Sequence, residues 1–277
     1  MAGIHRRRGR LSKEGRRLLG GVALLAVFAP VTAYTLNAAI AHVQSCGTEV
    51  TLDVAAAPEM AAVLEAFVAA GGGAPSRGSD VCADITVEAV LPGDPAIADA
   101  DVWIPETALW RNMPGSDLAE DWDVFQESTA SAPVGLALPA GEGADQVYPD
   151  DVDVALQDPR THAASLMWII LFGVDEHTSE GGDGLPVMSG PEVAALGDEG
   201  IQPPIGAAQV AQFEYPMLVS AGLGDDEREA AQNLLRSYAS ANYTELLGQH
   251  GLGPANPQPA PSSEDVIAAA LAAWDER

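Results

Sequence analysis

The chain has 277 residues and a formal net charge of −27, and the charge is unevenly placed. Residues 1–41 carry seven Lys/Arg against one acid, whereas residues 42–277 carry six Arg, no Lys and 39 acids. So acidic a body repels phosphate backbones and anionic headgroups, which argues against a nucleic-acid partner.

The N-terminus reads as a basic flank, residues 1–17, ahead of an apolar run at 18–41 whose only polar residues are Thr32, Thr35 and Asn37. That run is long enough to span a bilayer, and the cationic flank places the preceding residues in the cytoplasm. Ala39-Ile40-Ala41 also suits a signal-peptidase site. Both readings, a retained transmembrane anchor and a cleaved signal peptide, export the body. It is then either held on the membrane with the domain outside or secreted after cleavage near Ala41. The two cysteines, Cys46 and Cys82, both follow this segment, and an even count in an exported domain predicts a disulfide between them.

The elements follow in order. Residues 51–57 predict a strand and Pro58-Glu59 the start of a helix, whose Met60, Val63, Leu64 and Phe67 recur at helical spacing. Gly71-Gly72-Gly73 ends that helix. Residues 84–90 alternate as a second strand, and residues 100–104 form a short apolar third one, stopped by Pro105. Glu106 or Thr107 can then cap a short helix carrying Leu109 and Trp110. Strand, helix, strand, strand with short links predicts a mostly parallel sheet.

A further apolar strand is expected at 134–138, after Ser131-Ala132-Pro133. Residues 141–153 are acidic and turn-rich but lack the glycine of a calcium loop. Asp158-Pro159-Arg160 leads a long apolar helix at 161–173, with Asp158 or Thr161 as its cap. A Gly/Asp/Glu loop at 177–184, a short helix at 191–196 and a strand at 215–220 come next. Asp225-Asp226-Glu227 puts acids in the first turn of another helix, which is followed by a second helical piece at 243–249. Residues 257–277 comprise the end of a proline-rich linker and a short amphipathic helix at 264–274.

Strand ends that open into polar turns are where open α/β sheets build ligand clefts. The candidate ligand-binding residues are therefore Pro58, Glu59, Glu106, Thr107, Trp110, Ser128, Ser131 and Thr161. Each also has a purely structural reading as a cap or turn residue, and Trp103, in mid-strand, reads as core. Glu59 and Glu106 oppose an anion, so a neutral or cationic polar ligand is expected. The scattered histidines and the Asp175-Glu176-His177 loop match no metal spacing, and no nucleophile-elbow, zincin or phosphate-loop motif occurs. A non-enzyme without cofactor or metal is expected.

Taken together, Val-Ala-Ala-Ala-Pro-Glu at 54–59, the 100–110 segment, Ser-Ala-Pro-Val-Gly-Leu-Ala-Leu-Pro at 131–139, Asp158-Pro159-Arg160, Tyr215-Pro216-Met217 and Leu-Gly-Gln-His-Gly-Leu-Gly-Pro at 247–254 carry a family resemblance. The chain resembles bacterial extracellular solute-binding proteins of the type II periplasmic binding fold. It is most similar to an actinobacterial subgroup often linked to von Willebrand factor A modules. The resemblance implies an α/β, two-lobed domain at 46–256, with lobe I at about 46–130 and 215–256 and lobe II at about 135–213. Crossovers are implied near 128–138 and 215–220. Oxyanion-binding relatives usually place a serine after the first strand, where this chain has Ala55-Ala56-Ala57. The implied function is capture of a small polar ligand between the lobes, for an ABC transporter permease. The alternative is a cell-surface interaction module that binds no small ligand and works with a von Willebrand factor A protein.

Overall fold

The computed structural model describes residues 46–76, 78–141, 152–197, 200–257 and 263–277. The basic flank, the apolar run at 18–41, most of the acidic stretch after 141 and the middle of the proline-rich linker lie outside these residues. Among the described residues no helix is long and apolar enough to cross a membrane.

The body runs β1 (Thr48–Ala56), α1 (Pro58–Ala69), β2 (Val81–Ala89), a 3-10 turn (Pro95–Asp99), β3 (Val102–Ile104), a second 3-10 turn (Ala108–Asn112), α2 (Leu118–Asp121) and β4 (Trp122–Gln126). It continues through β5 (Ala130–Leu136), β6 (Leu138–Pro139), β7 (Val154–Leu156), α3 (Ala163–Phe172), β8 (Thr178–Glu180), β9 (Leu185–Ser189), α4 (Gly190–Leu196), β10 (Ile201–Gln202) and β11 (Gln209–Phe213). It ends with β12 (Met217–Ser220), α5 (Asp225–Ser237), α6 (Ala241–Gln249), β13 (Gly253–Pro254) and α7 (Glu264–Asp275).

Two mixed sheets result. The first has the order β2-β1-β3-β12-β4, with β1 parallel to β2 and β3, and β12 antiparallel to its neighbours. The sheet is parallel only on the β2-β1-β3 side, because β12 and β4 are the strands by which the chain returns from and leaves for the second sheet. That second sheet has the order β11-β5-β9-β7-β8, and β13 pairs with the start of β5. The chain passes between the sheets at residues 127–129 and again at 214–216, at the starts of the spans 128–138 and 215–220 expected from the resemblance; the rest of those spans is strand within the sheets. The two crossings are tied together: the Thr129 N–H and hydroxyl both donate to the Tyr215 carbonyl, at 3.0 and 2.6 Å.

The apolar spacing in α1 buries Met60, Val63, Leu64 and Phe67. Phe67 then meets an aromatic pair from the last helices, Tyr238 stacked on Tyr243 with centroids 4.3 Å apart. Trp103 is core, as expected, packed edge-on against Trp122 at 5.7 Å. Both cysteines are disulfide-bonded.

Several elements differ from expectation. The 177–184 segment is not all loop: Thr178–Glu180 pairs in parallel with β7, a backbone pairing that its polar, poorly buried sequence does not signal. The cap of α3 is His162, whose ring accepts the Ser165 N–H at 3.2 Å. Asp158 is not available to cap because its carboxylate closes its own turn on the Arg160 N–H. The C-terminal helix α7 packs on α3 and on the Ala108–Asn112 turn, with Ile267, Ala270 and Trp274 buried. Arg160 grips Asp275 with both of its carboxylate oxygens, at 2.7 and 2.8 Å.

Candidate functional site

The strand ends of the first sheet and the helix starts of the second face one cleft of about 470 Å³. Pro58 and Glu59 follow β1, Leu91 follows β2 and Glu106 follows β3. Opposite them stand Thr161 to Ala164 at the head of α3, Ser189, Pro191, Glu192 and Ala195 on β9 and α4, and Phe213 at the end of β11. This is the carboxyl-end location that parallel strands favour for a site.

Four of the eight sequence candidates line the cleft: Pro58, Glu59, Glu106 and Thr161. Thr107 and Trp110 stand directly behind it. Thr107 caps the 3-10 turn and donates its hydroxyl to Glu214 at 3.0 Å. Trp110 is buried, and its indole N–H donates to Glu106 Oε2 at 2.9 Å. Ser128 and Ser131 lie elsewhere. Ser128 lines a separate hollow beside Tyr238 and Tyr243 and accepts the Asn256 N–H, while Ser131 donates to the Pro254 carbonyl. The two hydroxyls fasten the 254–256 segment to the first crossover and the start of β5, away from the cleft.

Glu59 and Glu106 are each fixed from behind by one donor. The Tyr215 hydroxyl donates to Glu59 Oε1 at 2.7 Å, as the Trp110 indole does to Glu106. Tyr215 itself takes a left-handed backbone, φ 44°, which is uncommon for a residue with a bulky side chain. Its N–H donates to the Glu106 carbonyl at 3.1 Å, so the second crossover, Glu59 and Glu106 form one connected unit. Burial, with the neighbouring Glu59 charge, pushes the Glu106 carboxyl up to about 7. Burial also raises Glu59, against the lowering effect of the Tyr215 hydrogen bond.

The far wall holds a relay that sequence reasoning missed. Because His162 Nδ1 accepts the Ser165 N–H, its Nε2 is the donor, and it reaches Glu192 Oε1 at 2.7 Å. Glu192 Oε2 accepts the Ser189 N–H at 2.6 Å, completing a capping box on α4. Burial alone would raise the Glu192 carboxyl, but the His162 hydrogen bond and the Ser189 contacts bring it below its ordinary value. The Ser-x-x-Glu spacing at 189–192 signalled the capping box; nothing in the sequence signalled the pairing with His162. Among the described residues, no group of three or more His, Cys, Asp or Glu is arranged to hold a metal ion.

No protein-family model and no curated protein matches the chain. Solved structures do. The sulfate-binding protein SubI from Mycobacterium tuberculosis is 18% identical with a TM-score of 0.49, over 82% of this chain and 97% of that one. Iron-bound HitA from Pseudomonas aeruginosa is 14% identical with a TM-score of 0.48, over 82% and 99%. The arginine-, lysine-, histidine-binding protein ArtJ from Geobacillus stearothermophilus is 14% identical with a TM-score of 0.45, over 72% and 94%. At these identities each neighbour's ligand is that protein's own.

Proposed function

We propose that the chain is a solute-binding protein that captures one small polar ligand in the cleft between its two sheets and passes it to a transporter permease. The observation that carries this reading is the lining of the cleft. Loops after β1, β2 and β3 of one sheet face α3, β9, α4 and β11 of the other, and about 470 Å³ between them is left unfilled by side chains. Two short crossovers, joined to each other at Thr129 and Tyr215, give the sheets a common hinge about which to close on a guest. An open cleft that sets the Glu59 and Glu106 carboxylates in a largely apolar lining suits a small guest better than an interaction module without a small ligand, so capture is the better reading. The apolar run at 18–41 supports export of the body, either on an anchor or after cleavage near Ala41.

Native mass spectrometry of the full chain tests this. The expected result is a population heavier than the chain by one small molecule, released at raised collision energy. Bare chain in every preparation, with no metabolite raising its melting temperature, would contradict it.

A further inference from the structure

We propose that the captured solute is an organic cation, an ammonium or guanidinium group on an apolar body, received by the carboxylates of Glu59 and Glu106. This names the ligand class of the cleft and rests on the capture reading. Both carboxylates are orientated before any guest arrives, one oxygen of each being held by Tyr215 or Trp110. Beyond this and a bond to its own backbone, neither carboxylate receives a further donor among the described residues, and an ionised carboxylate has about four acceptor sites, so each can still take a hydrogen-bond donor from the guest. A charged donor makes the stronger bond to a carboxylate.

Among the described residues no lysine or arginine reaches this wall. Arg111 donates to the Trp122 and Ala119 carbonyls, and Arg160, Arg228 and Arg277 pair with Asp275, Asp123 and Glu180. Arg236 is spent on Ser76, Asn233 and Gln232.

The places where an anion would sit are also taken. Helix N-termini attract anions through free N–H groups, but Glu59 already occupies the first turn of α1, its carboxylate bonded to its own backbone N–H. At α3 the His162 ring takes the Ser165 N–H. The carboxyls of Glu59 and Glu106 are both held above their ordinary value with no counter-charge beside them, a state that a guest cation would relieve. The remaining lining suits an apolar body: Pro58, Leu91, Pro191, Ala195 and Phe213. Leu91 is 63% exposed on the rim, leaving its side chain for a guest to cover.

The test is calorimetric titration of the full chain with choline, agmatine and putrescine as cations, xylitol as a neutral polyol and sulfate as an anion. At least one cation should bind saturably, and Glu106→Gln should weaken it about tenfold or more, the worth of a charged hydrogen bond. Glu65→Gln removes the same charge from the exposed face of α1 and should change affinity less than about twofold, as a screened distant charge does. Glu106→Gln should melt no lower than the parent, because it removes a buried charge while keeping an acceptor for Trp110. That separates lost recognition from lost folding. Cation affinity unchanged by Glu106→Gln would overturn the proposal. Binding of xylitol or sulfate with every cation silent would overturn the cation class and leave capture standing. Silence from all five probes would overturn both.

Discussion

Glu214 shows how a single side chain in a crossover can set the pH response of this fold. It is 2% exposed; its Oε1 accepts the Thr107 hydroxyl and the Ala108 N–H, and its Oε2 is buried without a partner. Burial pushes its carboxyl up to about 7, so between the ordinary value of 4.5 and about 7 the folded chain keeps a proton that the unfolded chain releases. The stability this group contributes is therefore fully present below 4.5 and is lost as pH rises through 7. Glu214→Gln stays neutral and keeps the acceptor for Thr107 and Ala108. Its melting temperature should exceed the parent's at about pH 8 by the equivalent of a few kcal/mol at most, at ~1.4 kcal/mol per unit. The gap should close at about pH 5. Parallel melting curves at both pH values check this, and a constant gap would mean that Glu214 stays ionised throughout. Glu59 and Glu106 were legible in the sequence because each sits just past a strand end. The His162–Glu192 pairing and the Glu214 contacts were not, since those partners are brought together from distant segments by the tertiary fold.

Among the elements, α1, the 3-10 turn after β3 and α5 were readable from spacing and first-turn residues, and α3 from its apolar run though not from its cap, which is His162. The short strands β7, β9 and β11 were not, because three to five residues of mixed polarity carry too little periodicity to stand out. Gly135 in β5 is the clearest case of a residue whose reason appears only in the pairing. A Cβ there would collide with the Ala208 backbone carbonyl where β11 approaches. Gly135→Ala should therefore cost about 1–3 kcal/mol or more in urea denaturation, since backbone cannot yield as a flexible side chain does. The C-terminal helix makes a second test. Ile267 is fully buried beneath α7, and Ile267→Ala should cost about 2–5 kcal/mol. Asp275→Ala breaks only an exposed ion pair with Arg160 and should cost at most about 1 kcal/mol. Equal losses for the two would mean that charge, rather than apolar contact, fastens this helix to the body.

At the scale of the whole molecule, the disulfide and the cleft divide the work between stability and function. Replacing both Cys46 and Cys82 by serine should lower stability by about 3–4 kcal/mol in the chain-entropy model, read as an earlier urea midpoint. The cleft depends on both sheets at once, so a bulky side chain on either lip should abolish capture without touching the core. Ala195 is exposed on α4 and lines the cleft, which makes Ala195→Trp a plug that folding can tolerate. Native mass spectra of the parent and of Ala195→Trp, recorded side by side on protein prepared identically, decide whether the cleft holds the ligand. The parent should retain one small molecule and the variant none, with both chains melting at similar temperatures. The same retained mass on both chains would place the ligand outside the cleft and rule out capture there.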